Sequence, residues 1–477
     1  MSHSSFVFPR CRPETVGILP SSVSAFLKEA DSRQIGLHCF MLLRYGQVVA
    51  EAQWAPYDSE IPRMLFSLSK SFVSTAVGFA VDEGLLAVDD LVLSILGERS
   101  TESDDRLRLL RVEHLLTMST GQTNMAVRRC WNSRTREKGN WVQDFLDVPI
   151  EHEPGTHFAY NSCASYLLSA IVQEVTGLHL LDYLAPRLFE PLGIEGAKWE
   201  SCPDGIHLGG SGLWLKTEHL ARFGQLYLQK GRWNGKQLLS EGWIREATSL
   251  HISTGRKKRD YQGYGYHFWP CRHGAFRADG AQGQLCIVMP DQEAVIAVTA
   301  GVKEIQEVLD LIWEHLLPGM QDNPLPHDDA HFSELTSRMD SIAYAPLDSN
   351  RPVTSAAERV SGYRYDFSAN ELHLYAASIR FAGDTCEMTL WNPQGEHFVS
   401  CGIGYWASGS MELRDHSFAV AASGMWSAAD IFEMEWRFIE TPYTLKIKCT
   451  FTDDLVDVQV TEAIKSDIPI RLQGRRI

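Results

Sequence analysis

The sequence predicts an α/β (α+β) fold: an antiparallel sheet flanked by helices and carrying a helical insertion, followed by a small all-β domain. Three observations carry that expectation. Apolar β-like runs stand near the N-terminus and again around residue 290, with mostly helical periodicity between them. Strands at both ends of such a stretch suggest one sheet assembled from distant parts of the chain. Beyond about residue 345 the texture changes to short alternating runs separated by turns, the pattern of a barrel or sandwich.

The elements follow in order. Residues 21–31 form an amphipathic helix with Val23, Phe26 and Leu27 on one face. Two strands, 39–44 and 47–54, meet at Tyr45-Gly46 and read as a hairpin. A helix over 67–83 is stopped by Gly84. Helices over 112–118, 164–176, 181–188, 217–229 and 241–248 occupy the insertion, about 85–250. Strands 284–289 and 294–299 then turn at Pro290-Asp291, and helix 304–316 closes this part. Residues 318–331 read as a linker. Their prolines deny His327 and His331 a common helix, so no metal site is read there. Alternating runs at 371–375, 387–391, 410–413, 432–438, 443–451 and 455–460 make up the β module, with Asn392-Pro393-Gln394-Gly395 as one of its turns. The expected division is 1–330 and 331–477.

Composition narrows the function. The chain has 477 residues, 44% hydrophobic and 22% charged, enough for a sizeable core. A net charge of −16 argues against nucleic acid or an anionic membrane as partner. No run approaches the roughly eighteen apolar residues of a membrane span, and residues 1–17 lack the apolar core of a signal peptide. The ten cysteines, Cys130 among them, are scattered without a C-x-x-C and read as reduced, mostly buried thiols. The expected compartment is the cytoplasm. Oligomeric state is not legible.

Familiar motifs fail. Gly209-Gly210-Ser211-Gly212 has the wrong spacing for a G-x-S-x-G elbow, and H-E-x-x-H, the P-loop and the dinucleotide fingerprint are absent. What remains is Ser67-Leu68-Ser69-Lys70, the chain's only S-x-x-K. Ser67 stands where its helix begins, and Lys70 lies one turn on, on the same face. A serine hydroxyl needs a nearby base to become a nucleophile, and a desolvated lysine can serve. Read alone, the same residues fit an ordinary helix whose first serine caps it and whose lysine reaches water. Tyr160 stands on a turn-rich segment before helix 164–176, a natural second partner that also fits a packing role. Asp279-Gly280-Ala281-Gln282-Gly283-Gln284 leads into an apolar strand, where glycines let backbone N–H groups approach a substrate or simply make a turn.

These three pieces, in this order, resemble the serine hydrolases of the class C β-lactamase and penicillin-binding-protein-like family. That family includes D,D-peptidases, esterases and 6-aminohexanoate-dimer hydrolases. Residues 115–121, 188–194 and 212–231 also look like it, and the resemblance covers roughly 15–317. It implies Ser67 as the acylated nucleophile, Lys70 as its proton partner and Tyr160 as general base. It implies an oxyanion hole from the Ser67 and Ala281 N–H groups, with Ser162, Asp279, Gly280 and Gln284 at the substrate. No cofactor or metal is implied.

Two positions depart from the family. Asp279-Gly280-Ala281 replaces the Lys-Thr-Gly or His-x-Gly that holds a substrate carboxylate, and Ser162 replaces an asparagine. Arg277 and His273 are the nearest substitutes for the missing cation. The departures favour an esterase or amidase acting on a neutral or cationic small molecule. A D,D-peptidase or β-lactamase, and a non-catalytic ligand-binding protein, are the alternatives.

Overall fold

Leu37–Arg44 (β1) and Gln47–Gln53 (β2) form the first hairpin. Tyr45 and Gly46 both take positive φ, as a two-residue turn requires. The computed structural model describes residues 6–97, 105–123, 140–348, 355–413, 416–464 and 468–477; Cys130 lies outside them. Two compact units are present. The first comprises Met1–Ala52, Pro62–Thr299 and Glu304–Asp340, the second Gln53–Ile61, Ala300–Lys303 and Ser341–Ile477.

In the first unit, β1 and β2 join Trp269–Pro270 (β3), Phe276–Gly280 (β4), Gln284–Met289 (β5) and Ala294–Ala300 (β6) in a six-stranded sheet. Its order is β3-β4-β5-β6-β1-β2, so strands from both ends of this stretch do meet, β6 beside β1. β3 and β4 were not expected. All five residues of β4 are buried, and Arg277 and Asp279 interrupt its apolar character, so neither alternation nor a continuous apolar run marks it. Asp279 and Gly280 therefore end a strand, and 281–283 turn the hairpin into β5.

The helix expected over 67–83 is a 3₁₀ turn, Phe66–Leu68, running into Ser69–Asp82 (α1). Every residue from Ser69 to Ala80 is buried, so this helix is packed all round rather than two-faced. Gly78 shows how tightly: a Cβ there would sit 2.5 Å from the Trp243 ring. Ser162–Thr176 (α2), Thr217–Leu228 (α3) and Glu241–Thr248 (α4) form close to their expected bounds. The segment expected as one helix over 181–188 is instead Leu180–Leu184 followed by a π turn, Ala185–Phe189. Pro186 lacks the N–H that would continue the regular pattern. The closing helix likewise starts as Ile305–Leu311 (α5) and becomes a π turn over Ile312–Leu316.

Residues 318–331 are no free linker. Gln321 N–H donates to Gly17 at 2.7 Å, Leu325 N–H to Glu14 at 2.8 Å, and Arg12 pairs with Asp329 at 2.7 Å. His331 sits in the first turn of a helix, Asp329–Ser341, that the sequence does not announce. Among the described residues no cluster of three metal-ligating side chains occurs.

The second unit contains a ten-stranded antiparallel meander whose ends close. A parallel pairing of Gly402 and Ile403 with Ser423 and Gly424 joins strand Gly395–Ile403 to strand His416–Ala428, making a barrel. Trp426, Trp436, Phe432 and Cys449 fill its interior. The run expected as a strand over 371–375 is a loop. The Asn370 side chain donates to the Ser368 and Leu374 carbonyls and accepts from Leu372 and Leu374 N–H, satisfying groups that a ladder would use. The nine described cysteines are free, and no described helix is long and apolar enough to cross a membrane.

Candidate active site

The site assembles where the start of α1, the turn before α2 and the end of β4 converge. Phe66 takes φ of +48°, a conformation a bulky residue rarely adopts, directly before Ser67. This places Ser67 half-exposed on the 3₁₀ turn, while the next polar side chain, Ser69, turns inward and donates to the Phe66 carbonyl at 2.6 Å. Gly280 fixes the other wall. A Cβ there would lie 2.1 Å from the Leu65 carbonyl oxygen, so only glycine lets β4 approach the turn that carries Ser67. Ala281 is exposed just beyond.

Lys70 is 1% exposed, and in its protonated form all three of its N–H donors meet protein oxygens. Nζ donates to Ser67 Oγ at 3.1 Å, to Ser162 Oγ at 3.2 Å and to the Gly210 carbonyl at 2.5 Å. Burial lowers its pKa to about 7, against the opposing pull of the Asp279 carboxylate. Tyr160 hydrogen-bonds Ser67, and its ring centroid lies 5.0 Å from Lys70 Nζ. Desolvation, with Asp279 adding to it, raises the Tyr160 phenol well above its usual pKa; the Ser67 hydrogen bond and Arg256 pull the other way.

The Tyr160 loop is held by residues that sequence inspection matched only by likeness. Ala159 N–H donates to the Met118 carbonyl at 2.8 Å, and Asn161 N–H to Met118 Sδ at 3.2 Å. The Asn161 carboxamide then caps α2, accepting from Cys163 and Ala164 N–H. Ser162, the first residue of α2, is thereby turned onto Lys70.

The remaining expected residues are placed differently. Asp279 is 9% exposed and Arg277 fully buried, and they form an ion pair at 2.9 Å. The Asp279 carboxylate is thus neutralised from its own strand and is not a free anion awaiting a cationic substrate. Arg277 also donates to the Asp260 carbonyl at 2.7 Å and to Cys271 Sγ at 2.9 Å. The Asp260 carboxylate accepts from Arg272, from Gln306 at 2.7 Å and from Trp313 at 3.3 Å. Burial works against its charge, yet those donors hold its pKa at about 2. His273 packs on Trp313, their centroids 5.3 Å apart. Gln284 is buried and donates to the Ala281 and Gln282 carbonyls at 3.3 and 3.4 Å, stiffening the turn.

Three contributors escaped the sequence reading. Gly210 belongs to the glycine cluster rejected as an elbow, yet its carbonyl receives Lys70. His267 holds the Lys70 carbonyl through Nδ1 at 3.0 Å, and burial lowers its pKa to about 3, so the ring is neutral. Arg256 stands over the Tyr160 ring at 6.0 Å. Its signal was present: Arg256-Lys257-Lys258-Arg259 are four consecutive cations in an acidic chain.

A family model described as Beta-lactamase matches residues 39–310, more than half of the chain. The chain belongs to the beta-lactamase family. The 6-aminohexanoate-dimer hydrolase of Paenarthrobacter ureafaciens is 28% identical over 220 residues, 43% of this chain and 55% of that protein. Lovastatin esterase of Penicillium rubens is 25% identical over 155 residues, 28% and 39% of the two chains. The chain thus spans about half or less of the length of these curated relatives. The octameric penicillin-binding protein homologue from Pyrococcus abyssi shares the fold, with a TM-score of 0.51 at 16% identity over 95% of this chain and 99% of that one. The family match includes Ser67, Lys70, Tyr160 and β4.

Proposed function

We propose that this beta-lactamase-family chain is a serine hydrolase that cleaves small esters or amides through an acyl ester at Ser67. The observation that carries the reading is the 3.1 Å contact between Lys70 Nζ and Ser67 Oγ, made by a lysine whose pKa lies near 7. Ser67 Oγ attacks the substrate carbonyl, and its proton passes to the Lys70–Tyr160 pair. Lys70 is the member with an open lone pair near neutral pH, because Tyr160 holds its own proton firmly. The Tyr160 hydroxyl, bonded to Ser67, relays a proton to the leaving alcohol or amine. Water then attacks the acyl ester, loses its proton to the same pair, and the acid departs as Ser67 regains its hydrogen. The Ser67 and Ala281 N–H groups stabilise the oxyanion, with Gly280 holding their strand and turn together. The matched hydrolase and esterase relatives support a bond-cleaving role.

A fluorophosphonate probe and 4-nitrophenyl acetate test this. Ser67→Ala should abolish labelling and lower turnover on the order of 10⁴-fold or more. Equal labelling of both proteins would end the reading. Nitrocefin turnover would instead indicate a penicillin-recognising enzyme.

The pH profile is a second check. kcat/KM should rise through an apparent pKa near 7 and level off above it, since protonated Lys70 cannot accept the Ser67 proton. A flat profile between about pH 5 and about pH 9 contradicts this assignment. We further place the protein in the cytoplasm. Cys386 and Cys401 face each other across a ladder and are free, which suits a reducing compartment. Cell fractionation decides it.

A further inference from the structure

The first unit also holds a cavity of about 420 Å³, a volume in the range of small-molecule sites. Three rings make its apolar wall. Phe6 meets Phe8 at 5.1 Å and Trp233 at 4.8 Å, and Phe8 stands edge-on to Trp233 at 6.2 Å. Its buried polar groups are the carboxamide of Gln225 and the indole N–H of Trp233, with Gln229, Arg232 and Asn234 exposed around them. Among the described residues, none that lines it belongs to the Ser67–Lys70–Tyr160 cluster, and none is acidic.

Each wall is fastened by its own element. The Phe6 carbonyl accepts from Arg222 Nη2 at 2.7 Å, and that guanidinium lies 5.6 Å from the Phe6 ring and pairs with Glu218 at 2.8 Å. Val48 N–H donates to the Pro9 carbonyl at 2.9 Å, tying the segment that carries Phe8 to β2. Trp233 stands on a small hairpin, Arg232–Trp233 with Lys236–Gln237, turned by Asn234 and Gly235 at positive φ. Gln225 comes from α3 and meets the β1–β2 turn: a Cβ at Gly46 would lie 3.8 Å from Gln225 Nε2. The cavity is therefore preformed.

Gln225 and Trp233 are each 4% exposed, yet neither Gln225 Oε1 nor Trp233 Nε1 has a hydrogen-bond partner within the protein. Trp243 and Trp436 also hold unpartnered indole N–H groups, but neither lines this cavity. Buried polar groups are nearly always paired, so an open acceptor and an open donor at one cavity call for an occupant with the complementary pair. An amide supplies it: its N–H answers a carboxamide oxygen, and its C=O answers an indole N–H. The three rings suit a flat aromatic body beside that amide. We propose that this cavity binds a small neutral aromatic amide, its ring against Phe6, Phe8 and Trp233 and its amide group on Gln225 and Trp233. Ser67 plays no part in this binding, which is independent of the hydrolase reading.

Calorimetry with benzamide, acetophenone and benzoate tests this, in a Ser67→Ala background so that no turnover contributes heat. Acetophenone has the shape of benzamide without its N–H groups, and benzoate replaces the amide by an anion. Benzamide should bind more tightly than either. Gln225→Met should weaken benzamide about tenfold and leave acetophenone nearly unchanged, because only benzamide donates to Gln225. Trp233→Phe should weaken benzamide and acetophenone alike, because both offer a C=O to the indole.

Gln225→Met removes an unanswered buried group and should fold at least as stably as its parent, which urea unfolding checks. Should it fail to fold, Trp233→Phe decides alone. A merely structural role for Gln225 would alter stability and leave the benzamide-to-acetophenone ratio in place. An unchanged ratio in Gln225→Met, or no binding at millimolar benzamide, overturns the proposal. Tighter binding of benzoate than of benzamide would make this an anion site on Arg232 and overturn it equally.

Discussion

Lys70→Met should lower kcat/KM for 4-nitrophenyl acetate by about 10³-fold and, in the same protein, raise the stability of the fold. The two effects share one cause. Lys70 is 1% exposed, and burial holds its pKa near 7, against an ordinary 10.5. Between those values the unfolded chain binds the proton more readily than the native one. Stability therefore falls as pH drops from 10.5 toward 7, and below 7 the penalty is constant. Methionine has no proton to take up, so the stability gain should be small near pH 10 and largest at pH 7 and below. Loss of the Gly210 hydrogen bond offsets part of it. Urea titrations of both proteins across this range check the sign; a gain that does not depend on pH removes Lys70 titration as its cause.

Arg277→Met should destabilise the fold by about 3–5 kcal/mol. Arg277 is fully buried, and its removal strands the Asp279 carboxylate beside Lys70 and Tyr160 and leaves the Asp260 carbonyl without its donor. Because most of this cost is an uncompensated charge, Arg277→Met combined with Asp279→Leu should recover much of it. A double-mutant cycle by urea unfolding measures the coupling. Additive losses would show that the two side chains do not act as a pair.

The outline of both units was legible in the sequence wherever periodicity stood alone. The hairpin at Tyr45-Gly46, the helices at 217–228 and 241–248 and the turn at 392–395 form as expected. What escaped notice did so for physical reasons. β4 is buried at every position and contains an ion pair internal to the strand, so its sequence is neither alternating nor apolar. The strand His416–Ala428 is rich in alanine and serine because it passes the closure of the barrel, and small residues leave little hydrophobic signal. Within the site, Ser67 and Lys70 were legible because spacing along a helix predicts which side chains can meet, whereas Tyr160, on a distant loop, was singled out by resemblance to the family's motif order. Gly210, His267 and Arg256 contribute from loops whose positions depend on the packed structure around them. Spacing is silent there, and only the four adjacent cations at 256–259 hinted at one of them.

Asp260 links these observations in another way. It receives Arg272 from one turn, Gln306 from α5 and Trp313 from the π turn beyond, and through its carbonyl it steadies Arg277, which in turn holds Asp279 beside Lys70. The electrostatic surroundings of Lys70 are therefore anchored from residues that make no contact with Ser67, Lys70 or Tyr160 in the hydrogen bonds above. Drift at Gln306 or Arg272 could retune the proton affinity of Lys70 while leaving every group at the centre intact. A lineage built on this scaffold has a route to new specificities that a comparison of pocket residues alone would miss.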